Sequence, residues 1–119
     1  MYIHKRTEDH MYYKEFRGEK IFQLGFGLMR LPVIDQDQSK VDYDKVEEMF
    51  LYAYEHGVNY YDTAYPYHNG HSEITLGKIL ENNHLRDEVH IATKLFTLGM
   101  ERPDYDPRAM FEEQLSRLK

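Results

Sequence analysis

The segment from Asp44 to Asp62 constrains the fold more narrowly than any other part of the chain. Val46, Met49, Phe50 and Ala53 recur at helical spacing, and Gly57 stands where a left-handed residue commonly ends a helix. Asp44 with Glu47 has the form of a capping box led by aspartate, so a core-facing helix is predicted over 44–56. Directly behind Gly57, Val58-Asn59-Tyr60-Tyr61 is a short β-prone run that ends on Asp62. A helix that leads at once into a strand is half of a strand–helix–strand crossover, which implies a parallel sheet.

The same alternation runs through the rest of the chain. Leu24-Gly25-Phe26-Gly27 reads as the first buried parallel strand, its glycines permitting close approach of another backbone or a ligand. No helix starts straight after it and a third glycine is missing, so it is not a dinucleotide fingerprint. Pro32 to Lys40 is a polar loop. After Asp62, Ser72 is placed to cap a helix running to about Asn82, with Ile74, Gly77 and Leu80 facing the sheet. Glu88-Val89-His90-Ile91-Ala92-Thr93-Lys94 is the next strand, and Phe96 to Tyr105 a loop. Asp106-Pro107 opens a last helix whose apolar face is Phe111, Leu115 and Leu118. Ahead of all this, two alternating runs about Gly18-Glu19 read as a β-hairpin. The class is α/β: a hairpin, then three βα units.

Chemistry concentrates at the carboxyl ends of parallel strands. Asp62 ends one strand, Tyr67 follows on its loop, and Lys94 ends the next strand. On neighbouring strands, about 4.8 Å apart, an acid, a phenol and an amine surround one crevice. A free phenol, with a pKa of about 10, is a poor acid near neutrality. A nearby ammonium favours the phenolate, and a carboxylate keeps that ammonium charged and in place. The trio then reads as a proton donor for a carbonyl. A bland reading stands beside it: Asp62 caps a turn, Tyr67 packs at the rim as one of eleven tyrosines, and Lys94 is a solvated strand end.

Composition removes several other classes. The 119 residues allow one ordinary domain with a modest core. A net charge of −6 argues against non-specific nucleic-acid binding. No cysteine is present, so disulfides, iron–sulfur ligation and thiol catalysis are excluded within this chain. No apolar run approaches a membrane span and no signal-peptide core is seen, so a cytoplasmic address is expected. His68 and His71 do not make a recognised ligand pattern with Asp62; they read as solvated loop histidines, and no metal site is expected.

Leu24-Gly25-Phe26-Gly27-Leu28-Met29-Arg30-Leu31-Pro32, followed by Gly57 through Tyr67, resembles the opening of an aldo-keto reductase. The likeness continues through Gly70, Ser72-Glu73, Leu76-Gly77 and Ile91-Ala92-Thr93-Lys94, and covers the chain from about Met11 onward. Gly-Leu-Met-Arg-Leu-Pro-Val and Tyr-Pro-Tyr-His are most similar to the microbial branch that often carries a C-terminal iron–sulfur segment. The resemblance implies the N-terminal portion of a (β/α)8 TIM barrel over 11–119, the hairpin closing its bottom, with residues 1–10 as a flexible N-terminal extension. It implies Asp62, Tyr67 and Lys94 as catalytic residues. It places Gly27, Leu28, Met29, Arg30 and Asp62 near the nicotinamide of NADP(H), and makes a small carbonyl compound the substrate.

A full barrel has eight strands and about 250 residues. The family's fourth catalytic residue, a histidine on the next strand, has no counterpart here, nor has the late-barrel region that holds the cofactor's adenosine end. The chain by itself is therefore expected to be catalytically incomplete and to bind NADP(H) weakly or not at all. The alternative expectation is an assembly module, in which open sheet edges pair with another copy or with a separately encoded barrel remainder.

Overall fold

The computed structural model describes residues 12–119, so the extension expected over residues 1–10 falls outside the described residues. Two antiparallel strands, β1 (Tyr13–Phe16) and β2 (Glu19–Phe22), open the described chain. Their turn is made by Arg17 and Gly18, at φ 54° and 86°, because a tight hairpin needs two left-handed residues. The turn thus lies one residue earlier than Gly18-Glu19.

Three further strands form a separate parallel sheet in the order β3 (Phe26–Gly27), β4 (Tyr60–Asp62), β5 (His90–Ala92). Phe26 lies opposite Tyr61, Gly27 opposite Asp62, Tyr61 opposite Ile91, and Asp62 opposite Ala92. Each strand is followed by a helix: α1 (Tyr43–Glu55), α2 (His71–Asn82) and α3 (Pro107–Leu118). The strands are shorter than expected. Leu24 is exposed, the Val58 N–H is used in closing α1, and the Asn59 side chain is committed to the hairpin. Its Oδ1 accepts from the Phe22 N–H and its Nδ2 donates to the Lys20 carbonyl, each at 2.9 Å. Asn59 precedes β4, so the hairpin is fastened to the amino-terminal end of the sheet, the bottom of a barrel.

Helix α1 ends as Gly57 implies. The Gly57 N–H bonds the Tyr54 carbonyl and the Val58 N–H bonds the Ala53 carbonyl, with Gly57 at φ 111°. That paired closure satisfies carbonyls a helix end otherwise leaves open. Its start differs from expectation: Asp42, not Asp44, is the cap and accepts from the Lys45 N–H at 3.3 Å. Glu47 is turned to Tyr43 and Asn83 instead.

The core lies between one face of the sheet and the helices. Tyr61, fully buried, stacks on Phe50 of α1 at 4.4 Å between centroids, and the cluster also holds Leu28, Leu31, Val46, Val58, Leu76, Ile79, Leu80, Val89 and Leu118. Burying such an aromatic or aliphatic side chain is worth about 1.5–3 kcal/mol. Alternation along β4 sends Tyr60 and Asp62 to the opposite face, which none of the described helices covers.

Three expected core positions stand outside it. Met49 of α1 and Phe111 and Leu115 of α3 are exposed, because sheet and helices stop short of enclosing them. The buried residues of α3 are Gln114 and Leu118. Gly77 faces α3 rather than the sheet; a Cβ there would lie 1.9 Å from the Arg117 carbonyl oxygen. This is an open three-unit segment of a β/α barrel.

Candidate active site

Register places the candidate trio. Asp62 ends β4 opposite Ala92, and Lys94, two residues beyond Ala92, shares its face. The ladder carries on past the strand ends, Thr63 N–H to the Ala92 carbonyl at 2.8 Å and Tyr65 N–H to the Lys94 carbonyl at 3.2 Å, so Lys94 is held beside β4. Lys94 Nζ donates to Asp62 Oδ1 at 2.6 Å and to the Thr63 carbonyl at 2.9 Å. The same ammonium lies 5.0 Å from the centroid of the Tyr67 ring, within cation–π range. The three residues singled out from the sequence therefore meet at one place. Burial opposes the Lys94 charge, but its interactions with Asp62 and Tyr67 outweigh that and hold the ammonium above the ordinary lysine range. Both ends of the pair remain about half exposed, 51% and 45%, so the site is open to solvent on one side.

Tyr67 opens a tight turn, Tyr67–Gly70, between β4 and α2. His68, Asn69 and Gly70 follow at φ 53°, 54° and 93°, three left-handed residues in a row. Asparagine and histidine tolerate that region better than most side chains, yet the run persists only where its surroundings hold it. His68 supplies the hold. It is buried, its Nε2 accepts from the Leu31 N–H at 2.9 Å, and its Nδ1 lies 3.0 Å from the Gln38 carbonyl. Since Nε2 is the acceptor, Nδ1 carries the hydrogen and donates. Asn69 adds a bond to Ser39 at 2.7 Å. His68 is thus not a solvated loop histidine but a pin joining the Tyr67 loop to the segment after β3; His71 is exposed. Among the described residues no cluster of three or more metal-ligating side chains occurs.

The residues expected near a cofactor divide. Gly27 pairs with Asp62, and a Cβ there would meet nothing within 4 Å. Met29 and Arg30 are exposed. Leu28 points into the core, with its N–H on the Asp62 carbonyl and its carbonyl accepting from Ser72. Ser72 is therefore no helix cap: its hydroxyl is buried and also bonds Thr63 Oγ1 at 2.7 Å, while Gly70 takes the cap position.

A buried polar group beneath the trio escaped the sequence reading. Glu73 of α2, fully buried, accepts from Thr93 Oγ1 at 2.5 Å, Gln114 Nε2 at 2.9 Å and Arg117 Nη1 at 3.0 Å. Its trace in the sequence is faint: Glu73 within the Ser72-Glu73 pair, and Gln114 four residues before Leu118 on the buried face of α3.

An open β/α-barrel segment with an acid, a phenol and an amine at its strand tips defines a class, and the comparisons name it. The aldo/keto reductase family model matches residues 23–119, and the chain belongs to that family. It is similar to a Pseudomonas aeruginosa protein assigned to the aldo-keto reductases, at 25% identity and TM-score 0.67, over 92% of this chain and 42% of that one. It is also similar to an aldo-keto reductase from Bacillus halodurans solved in its holo form, at 32% identity and TM-score 0.60, over 85% of this chain and 33% of that one. A thermostable aldo-keto reductase solved with the inhibitor epalrestat matches at 27% identity and TM-score 0.60, over 89% and 38%. The chain spans less than half the length of these relatives.

Proposed function

We propose that Asp62, Tyr67 and Lys94 form the proton-transfer part of an NAD(P)H-dependent aldo-keto reductase site acting on an aldehyde or ketone. The observation that carries this reading is the Lys94 ammonium, 2.6 Å from Asp62 and 5.0 Å from the Tyr67 ring. Tyr67 gives its hydroxyl proton to the carbonyl oxygen. Lys94 stabilises the phenolate left behind, because a cation beside the ring favours the charged form. Asp62 keeps Lys94 charged and aimed.

A bound NAD(P)H supplies the hydride. The residues present fit its reactive end: Gly27 is open on its Cβ side and is paired with Asp62, and Met29 and Arg30, just beyond Leu28, are exposed. Leu28 contributes by anchoring that backbone in the core. A preference for NADP(H), a cytoplasmic setting and weak cofactor binding by this chain alone belong to the same proposal. No described helix is long and apolar enough to cross a membrane.

A chimera in which residues 12–119 replace the matching part of the Bacillus halodurans relative tests the reading. It should reduce an aromatic aldehyde with NADPH, followed at 340 nm, and Tyr67→Phe should cost ~10²–10⁴ in rate. An active chimera indifferent to Tyr67→Phe refutes the assignment.

A second reading rests on the sheet edges. Among the described residues, strands β3 and β5 each have a neighbour on one side only, and Met49, Tyr52, Phe111 and Leu115 are exposed on the flanking helices. Such edges and faces favour association with another copy or a separate barrel remainder. Sedimentation velocity decides: a discrete oligomer supports it, a monomer at all concentrations rejects self-association.

A further inference from the structure

We infer that Glu73, Gln114 and Arg117 act as a buried positioning strut that sets the Lys94 strand tip and the Tyr67 loop relative to one another; this rests on the proton-transfer reading of Asp62, Tyr67 and Lys94. The strut spans three elements. Its centre is the Glu73 carboxylate on α2, which receives the Thr93 hydroxyl, the Gln114 amide and the Arg117 guanidinium. From α3, Gln114 Nε2 donates to the Lys94 carbonyl at 2.9 Å, and Arg117 Nη1 donates to the Tyr65 carbonyl at 3.2 Å. The Tyr65 N–H in turn bonds the Lys94 carbonyl. One carboxylate thus reaches, through single side chains, the backbone of the amine and the backbone two residues before the phenol.

Arg117 is secured on its far side. Its guanidinium stacks 4.3 Å from the Tyr65 ring centroid and its Nη2 bonds Glu113 at 2.7 Å, while Tyr65 OH bonds the other Glu113 oxygen at 3.0 Å. Gly77 makes the approach possible, since any side chain there would collide with the Arg117 carbonyl. A buried ion pair is weak evidence for stability, because apolar residues of like volume pack as well. Directional bonds to two chosen carbonyls are what apolar residues cannot provide, and preorganised sites depend on such supporting contacts. Among the described residues none of these three side chains hydrogen-bonds Asp62 or Tyr67, so they are positioning residues.

The test reads geometry in this chain, without turnover. Selectively labelled lysine gives the Lys94 Cε and Hε signals by NMR, displaced by the Tyr67 ring current. Glu73→Gln is the direct variant but strands Arg117. Thr93→Val and Gln114→Met each remove only part of the strut. Both should move the Lys94 signals towards those of the Tyr67→Leu reference, and Thr93→Ser should restore them. Val46→Ala, a cavity on the α1 side of the core, should lower stability without moving them. Folded Thr93→Val and Gln114→Met proteins with unchanged Lys94 signals, or an equal displacement by Val46→Ala, overturn the strut and leave the trio standing. If Tyr67→Leu leaves the Lys94 signals of the parent chain unchanged, the trio itself is refuted and the strut with it.

Discussion

Replacing Gly77 by alanine measures how closely α3 is seated on α2. Alanine raises intrinsic helix propensity, a gain of about 1 kcal/mol over glycine at a helix interior. Against this, the added methyl would lie 1.9 Å from the Arg117 carbonyl oxygen, 3.0 Å from its carbon and 3.1 Å from Leu118 Cα. These are backbone atoms, so no side-chain rotation relieves the clash. The helices must separate by more than an ångström, loosening Leu118 and Gln114, both buried. Overpacking costs about 1–3 kcal/mol in ordinary cores, and a rigid backbone neighbour puts this site near the upper end. The net expectation is a loss of about 2 kcal/mol after subtracting the propensity gain. Divided by a urea m-value of roughly 1–2 kcal/mol/M, this lowers the unfolding midpoint by about 1–2 M. Circular dichroism in urea provides the assay. A Gly77→Ala chain as stable as the parent, or more so, refutes the reasoning, since propensity alone would then be acting and α3 would not lie on α2.

His68→Ala should release the Tyr67 loop: losing the acceptor of a buried backbone N–H costs about 1–3 kcal/mol, and the Leu31 amide should exchange faster with deuterium. Unchanged Leu31 exchange counts against the pin. Stability should fall at alkaline pH. The Lys94 pKa is raised against the opposing effect of burial by Asp62 and Tyr67, and the Tyr65 phenol is raised by its bond to Glu113 and then by burial. A raised folded pKa adds stability that is complete below the unfolded value, about 10 for both types, and is lost as pH rises through the folded value. Urea midpoints should therefore be level up to about pH 9 and decline above about pH 10, with a shallower decline in Lys94→Met and Tyr65→Phe; an unchanged slope in both variants contradicts the assignment.

The trio was legible because strand-end chemistry depends on local order. Asp62 and Lys94 each end a β-prone run, and one parallel pairing is enough to set them side by side. The caps were legible where one residue decides, as with Asp106, whose side chain accepts from the Ala109 N–H at 3.0 Å, and Gly57. They were misread where neighbours competed. Asp44 and Asp42 both suit a cap, and Ser72 suits one until Leu28 and Thr63 claim its hydroxyl.

Alternating β-prone and helical stretches, the stop at Gly57 and the order of Asp62, Tyr67 and Lys94 are properties of the sequence alone, because each depends on residues a few positions apart. Which apolar stripes become core was left to the tertiary structure: Phe111 and Leu115 have the right spacing but stay about half exposed, at 53% and 51%. So was the burial of His68 and Glu73, polar residues whose partners lie 20 or more positions away in the chain. A hydrogen bond between distant residues leaves no periodic trace in a sequence, and a side chain's burial depends on which other element arrives to cover it.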